Sequence, residues 1–114
     1  MTTPTPAWVK KMVDAARHRA RKRGCDFDLT VQDVIELWAE QKGNCYWFNV
    51  PMMWIEEASP RHPLIPTLDR TDNRKGYTRG NCVLACWGAN AAKGTCELEE
   101  WEQFLDFLRG GVAG

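Results

Sequence analysis

One hundred and fourteen residues allow one domain with one modest core. The 15 basic and 15 acidic side chains cancel to a formal net charge of zero, so overall charge gives no sign of a polyanionic partner. No apolar run approaches the ~20 residues of a membrane span, and the opening MTTPTPAWVKK lacks a signal-peptide core; together these predict a soluble cytoplasmic protein with no membrane partner.

Residues 1–7 read as a flexible Thr/Pro tail, 8–110 as the folded domain and 111–114 as a second tail. Trp8 to Arg23 is predicted to be a helix, because Trp8, Met12, Ala15 or Ala16 and Ala20 recur at helical spacing, with Gly24 as its stop. Seven basic residues precede Cys25 against Asp14 alone, including Arg19, Arg21, Lys22 and Arg23, whereas Glu97 to Arg109 carries five acids against one base. That asymmetry permits a basic face for phosphates within a neutral chain. A solvated helix end that favours the dipole explains the same run, and both readings stay open. His18 lies in this run and reads as a solvated side chain.

Thr30 is predicted to cap a second helix, with Asp33 completing a capping box and Val34, Leu37 and Trp38 forming the apolar face. Cys45 to Trp54 (CYWFNVPMMW) is strongly apolar and broken by Asn49 and Pro51, the pattern of a short hairpin or extended turn that plugs the core. Glu56 to Pro66 holds three prolines and reads as loop. A last amphipathic helix, marked by Leu98, Trp101, Phe104-Leu105 and Leu108, should stop at Gly110-Gly111 and brace the segment before it.

That preceding segment, PTLDRTDNRKGYTRGNCVLACWGANAAKG from Pro66 to Gly94, is the chemically dense part of the chain. Thr67 to Arg70 alternates as a strand, Asp72 to Gly76 is rich in turn formers, Asn81 to Ala85 is extended, and Trp87 to Lys93 reads as a short helix. The wording LDRxDxxKGYxxGN followed by AN-x-x-K resembles the HNH, or His-Me finger, endonucleases, in particular their small phage and prophage branch. FDLT at Phe27 to Thr30, GNC at Gly43 to Cys45 and Pro51-Met52 resemble the stretch ahead of that branch's motif, so the resemblance spans about Ala15 to Leu108. It implies a small single α+β domain: two N-terminal helices, a ββα-metal finger and a C-terminal helix.

The resemblance further implies hydrolysis of DNA phosphodiester bonds with one divalent ion, Mg²⁺ or Mn²⁺, held by Asp69 and Asn90. A hard cation takes such oxygen ligands. Simpler roles for the same residues are an ion pair of Asp69 with Arg70 or Arg79, and a turn cap by Asn90. Asn81 matches the residue that holds the loop in the family. Lys93 would touch phosphate or end the helix in solvent. Arg74, Lys75 and Arg79 would contact the DNA backbone without reading sequence.

Arg70 stands where the motif has its His, and a guanidinium does not serve as an ordinary general base. Three explanations remain open: recruitment of Asp72 or His62 as base, charge stabilisation by Arg70 beside an attacking metal-bound hydroxide, or a non-catalytic DNA-binding or regulatory module on the same fold. Relatives often staple the motif with two CxxC pairs and zinc. Here Phe48 and Ala89 stand at the partner positions of Cys45 and Cys86, so zinc is not expected and the five cysteines (25, 45, 82, 86, 96) should be reduced, buried thiols. A zinc-stapled structural module is the third reading. If phage-borne, the protein would act in the host cytoplasm, and a packaging protein is a conceivable partner; oligomeric state is open.

Overall fold

A computed structural model of the chain describes residues 3–54 and 62–110. The predicted 1–7 and 111–114 tails and the proline-rich loop after Glu56 therefore lie partly or wholly outside the described residues. Among the described residues the α-helices and β-strands are, in order, α1 (Pro6–Arg23), α2 (Val31–Glu40), β1 (Pro66–Arg70), β2 (Cys82–Cys86), α3 (Trp87–Lys93) and α4 (Leu98–Leu108). No helix among the described residues is long and apolar enough to cross a membrane.

Local chemistry sets the helix ends. α1 starts two residues ahead of Trp8 because Thr5 caps it, its hydroxyl accepting from the Trp8 N–H at 3.2 Å, with Pro6 in the first turn. It buries Val9, Val13, Ala16 and Ala20, and ends at Gly24 in the left-handed region at φ 66°. α2 carries the expected capping box: Asp33 N–H to Thr30 Oγ1 at 3.1 Å and Thr30 N–H to Asp33 Oδ2 at 2.9 Å. It buries Val34, Leu37 and Trp38.

The apolar stretch after α2 closes on itself through an isolated antiparallel bridge, Asn44 to Pro51, and a Cys45 N–H to Val50 carbonyl bond of 2.8 Å. Asn49 turns the chain at φ 54°. Cys45, Trp47 and Met52 point into the core. Gln41 fixes this plug to the sheet: its amide accepts from Leu84 N–H at 2.9 Å and donates to Leu84 O at 2.7 Å, which satisfies the outer edge of β2.

β1 and β2 form a two-stranded antiparallel sheet with Asp69 opposite Val83 and Arg70 opposite Cys82. β2 begins at Cys82 rather than Asn81, because Arg79–Asn81 forms a 3₁₀ turn that leaves Asn81 free to bond sideways. α3 follows β2 without a break. Trp101 of α4 packs edge-on against Trp47 at 6.0 Å, Glu99 pairs with Arg74 at 2.9 Å, and Arg109 donates to the Trp47 carbonyl at 2.6 Å, so α4 braces both plug and finger. The result is a small α+β domain built around a ββα unit.

Candidate active site

The loop between β1 and β2 is held by one side chain. Asn81 Oδ1 accepts from Thr71 Oγ1 at 2.7 Å and Asp72 N–H at 3.0 Å, while Nδ2 donates to the carbonyls of Asp72 at 3.0 Å and Gly76 at 2.9 Å. A carboxamide offers two donors and two acceptor directions, and here all are used. The far end of the loop is pinned to the α1–α2 connection: Tyr77 N–H donates to Asp26 O at 2.8 Å and Asp28 N–H to Tyr77 O at 3.0 Å. A Cβ on Gly76 would lie 2.5 Å from the Asp26 carbonyl oxygen, so this approach demands glycine.

Asp69 sits on β1, 6% exposed. Its Oδ2 accepts from Trp47 Nε1 at 2.8 Å and its Oδ1 lies 3.5 Å from Lys93 Nζ. Burial pushes this carboxyl above the ordinary carboxylate range, opposed by the Trp47 side-chain bond, the charge and side-chain bond of Lys93 and the Arg70 backbone bond. Asn90, on α3, donates from Nδ2 to Thr67 Oγ1 at 3.0 Å, and its Oδ1 has no partner among the described residues. Asp69 and Asn90 line one cleft of about 710 Å³, whose opposite wall is the Trp8–Arg23 stripe of α1. Four cationic side chains, Lys11, Arg19, Arg23 and Arg70, face into it.

Arg70 is part of the wall and of the loop. It donates to the carbonyls of Asn73 and Lys75, both at 3.0 Å, and its guanidinium lies 5.0 Å from the centre of the Tyr77 ring. The Tyr77 hydroxyl accepts from Arg23 Nη1 at 2.9 Å and Arg19 Nε at 3.3 Å, so three guanidinium groups surround this buried phenol at the cleft. Neither Tyr77 nor Lys11 was among the sequence candidates. Their signals were present: Tyr77 is the Tyr of the KGY wording, and Lys11 lies on the helix face shared by Trp8, Ala15 and Arg19.

Several expected contacts are redirected. Lys93 is 1% exposed, and its ammonium donates inward to Arg70 O at 2.7 Å and Asn73 Oδ1 at 3.2 Å besides facing Asp69, so it is neither a solvated helix end nor able to reach a phosphate from there. Asp72 does not line the cleft; Arg74 grips it through the main chain and Nε, both at 2.9 Å, and holds its carboxyl down at about 2. His62 is also outside the cleft lining, and its Nδ1 accepts from Leu64 N–H at 3.1 Å. Arg74 pairs with Asp72 and Glu99, and Arg79 with Glu40 on α2, so both are committed within the chain. Lys75, Arg21 and Lys22 are exposed and lie outside the cleft.

The site offers a cation hard oxygen donors: one carboxylate and one amide oxygen. Such a pair fits Mg²⁺ or Mn²⁺ completed by solvent. Among the described residues no group of three or more His, Cys, Asp or Glu side chains converges, so a cation here would take only these two protein side chains of known placement. Cys45, Cys82 and Cys86 are buried, whereas Cys25 is half-buried and Cys96 exposed, against the expectation that all five pack inside. Burial pushes Cys82 up to about 12 and also raises Cys86, so these thiols stay protonated. Phe48 packs against Trp101 at 6.3 Å and Ala89 is fully buried, which fills with apolar groups the positions where a zinc staple would need sulfur.

No family model matches the chain. No curated protein matches it in sequence either. Among solved structures, the chain is similar to the rare-cutting HNH restriction endonuclease PacI, described as having an extraordinary mechanism of DNA perturbation; the likeness has a TM-score of 0.63 and 19% identity, and covers 90% of this chain and 78% of that one. At that identity the likeness establishes a common HNH-type fold.

Proposed function

We propose that this protein is a metal-dependent endonuclease that hydrolyses DNA phosphodiester bonds in the cleft between α1 and the ββα unit. The observation that carries this reading is the presence of the Asp69 carboxylate and of the Asn90 oxygen, which has no partner among the described residues, in one cleft lined by Lys11, Arg19, Arg23 and Arg70. The fold likeness to a restriction endonuclease supports it. Asp69 and Asn90 would hold the divalent ion, which when bound neutralises charge on the scissile phosphate and leaving oxygen. The second Asp69 oxygen, fixed by Trp47, sets the orientation of the first.

The cations on the α1 side draw in and position the DNA backbone. Arg70, tethered by two carbonyls, presents fixed positive charge to the phosphate rather than accepting a proton. Proton acceptance falls to Tyr77. With Asp72 and His62 outside the cleft and Asp69 assigned to the ion, it is the remaining ionisable oxygen that the described residues place in the cleft lining. The Arg19 and Arg23 donors fix the position of that oxygen at the cleft. Phage or prophage origin belongs to the same proposal and rests on the motif wording alone.

The second reading, a DNA-binding module without catalysis, is favoured by one feature: both oxygens of Asp69 already face donors, Trp47 and Lys93. Incubating supercoiled plasmid with Mg²⁺, Mn²⁺ or EDTA separates the two. Nicking that requires the metal supports the nuclease; intact plasmid with every metal, together with DNA binding that weakens as salt rises, supports the module.

A further inference from the structure

The α1 wall of the cleft mixes apolar and cationic side chains. Its N-terminal end presents Trp8 and Met12 beside Lys11, its C-terminal end Arg19 and Arg23, and the two ends are about 22 Å apart at 1.5 Å per residue. A duplex keeps its bases stacked inside and presents sugar and phosphate, which the cations at both ends of this wall would meet. Apolar surface at one end has nothing to bury against such a ligand. An unpaired nucleotide supplies both halves: a flat base and a charged phosphate.

Trp8 is suited to that role. It is half-buried, lines the cleft, and is held edge-to-face against Trp54 at 6.0 Å and 78°. Its plane is fixed before any ligand arrives, so stacking a base on it costs little side-chain entropy. Asp69 and Asn90 lie on the facing wall of the same cleft.

We propose that this cleft is selective for an unpaired nucleotide of a DNA strand, whose base rests on Trp8 and Met12 while the neighbouring phosphates face Arg19 and Arg23. This inference rests on the nuclease reading and names the state of the substrate that the site accepts.

The test measures binding of the full chain in EDTA, at one salt concentration, to a fluorescent DNA oligonucleotide presented as single strand, as full duplex and as duplex with one unpaired nucleotide. The protein should prefer the two forms with an unpaired nucleotide by roughly five- to hundredfold, the span of one base–aromatic stack. Trp8→Leu, which keeps apolar packing against Trp54 but removes the stacking face, should bring the single-strand to duplex ratio to about one, and Trp8→Phe should restore most of it. Circular dichroism identifies a variant that has failed to fold, and the wild-type ratio then decides alone.

Equal wild-type affinity for all three oligonucleotides overturns the inference, as does a ratio that Trp8→Leu leaves intact. Plasmid nicking run in parallel tells the two readings apart. Nicking with no preference for the unpaired nucleotide removes the inference and leaves the nuclease standing, whereas neither binding nor nicking removes both.

Discussion

Lys93→Met replaces a buried ammonium by an apolar side chain of similar length. In the native protein that ammonium meets Arg70 O at 2.7 Å, Asn73 Oδ1 at 3.2 Å and Asp69 Oδ1 at 3.5 Å, with its side chain 1% and that of Asp69 7% exposed. Removing it strands a buried carboxylate with Trp47 as its remaining side-chain donor and leaves two further oxygens without it. Breaking a buried pair by deleting one partner costs about 3–5 kcal/mol. A domain of this size has roughly 5–15 kcal/mol in total, so the variant should remain folded only in dilute denaturant. Urea unfolding followed by tryptophan fluorescence reads the loss directly. Asp69→Asn added to Lys93→Met removes the stranded charge and should recover part of it, with a coupling of roughly 1–3 kcal/mol in the double-mutant cycle. A loss below about 1 kcal/mol, the figure for an exposed pair, would refute the assignment of Lys93 to the interior.

Three other outcomes follow from the same geometry. Tyr77→Phe keeps the ring under Arg70 and removes the hydroxyl, so metal-dependent nicking should fall by roughly 10²–10⁴-fold with folding intact; nicking within a few-fold of wild type would remove Tyr77 as proton acceptor. Gly76→Ala puts a Cβ 2.5 Å from the Asp26 carbonyl, so the loop must move and thermal stability should drop by about 1–3 kcal/mol, measured by calorimetry; an unchanged melting temperature would show that the loop gives way freely. Asp72 has its pKa lowered in the folded state from 3.8 to about 2, so its contribution is present above the unfolded value and lost as pH falls between them. Asp72→Asn should therefore flatten the acid limb of stability over that window in urea titrations, and an unaltered limb would contradict the Arg74 clamp.

What the sequence made legible was local. Thr30 and Asp33 are three residues apart and announce a capping box, Gly24 stops one helix, and Gly94 follows the end of another. The Asp69, Asn81 and Asn90 positions were legible through their resemblance to a known motif. Partnerships across the chain were not. Lys93 could be taken for a helix end because nothing in a seven-residue helix says which side meets the sheet. Arg79 is captured by Glu40 and Arg74 by Glu99, from elements distant in sequence. Tyr77 enters the cleft because the Phe27 bridge and the Gly76 approach bring the loop against α1, a contact no spacing rule encodes.

Asp69 and Asn90 are the proposed metal-holding pair of a DNA-cutting site. Its most direct test is supercoiled-plasmid nicking with Mg²⁺ or Mn²⁺ by identically purified wild type, Asp69→Ala and Asn90→Ala, with EDTA controls and matched circular dichroism. Wild type should nick the plasmid only with metal, and both folded variants should have lost that nicking. Nicking of undiminished rate in either variant, or in EDTA, would contradict that pairing.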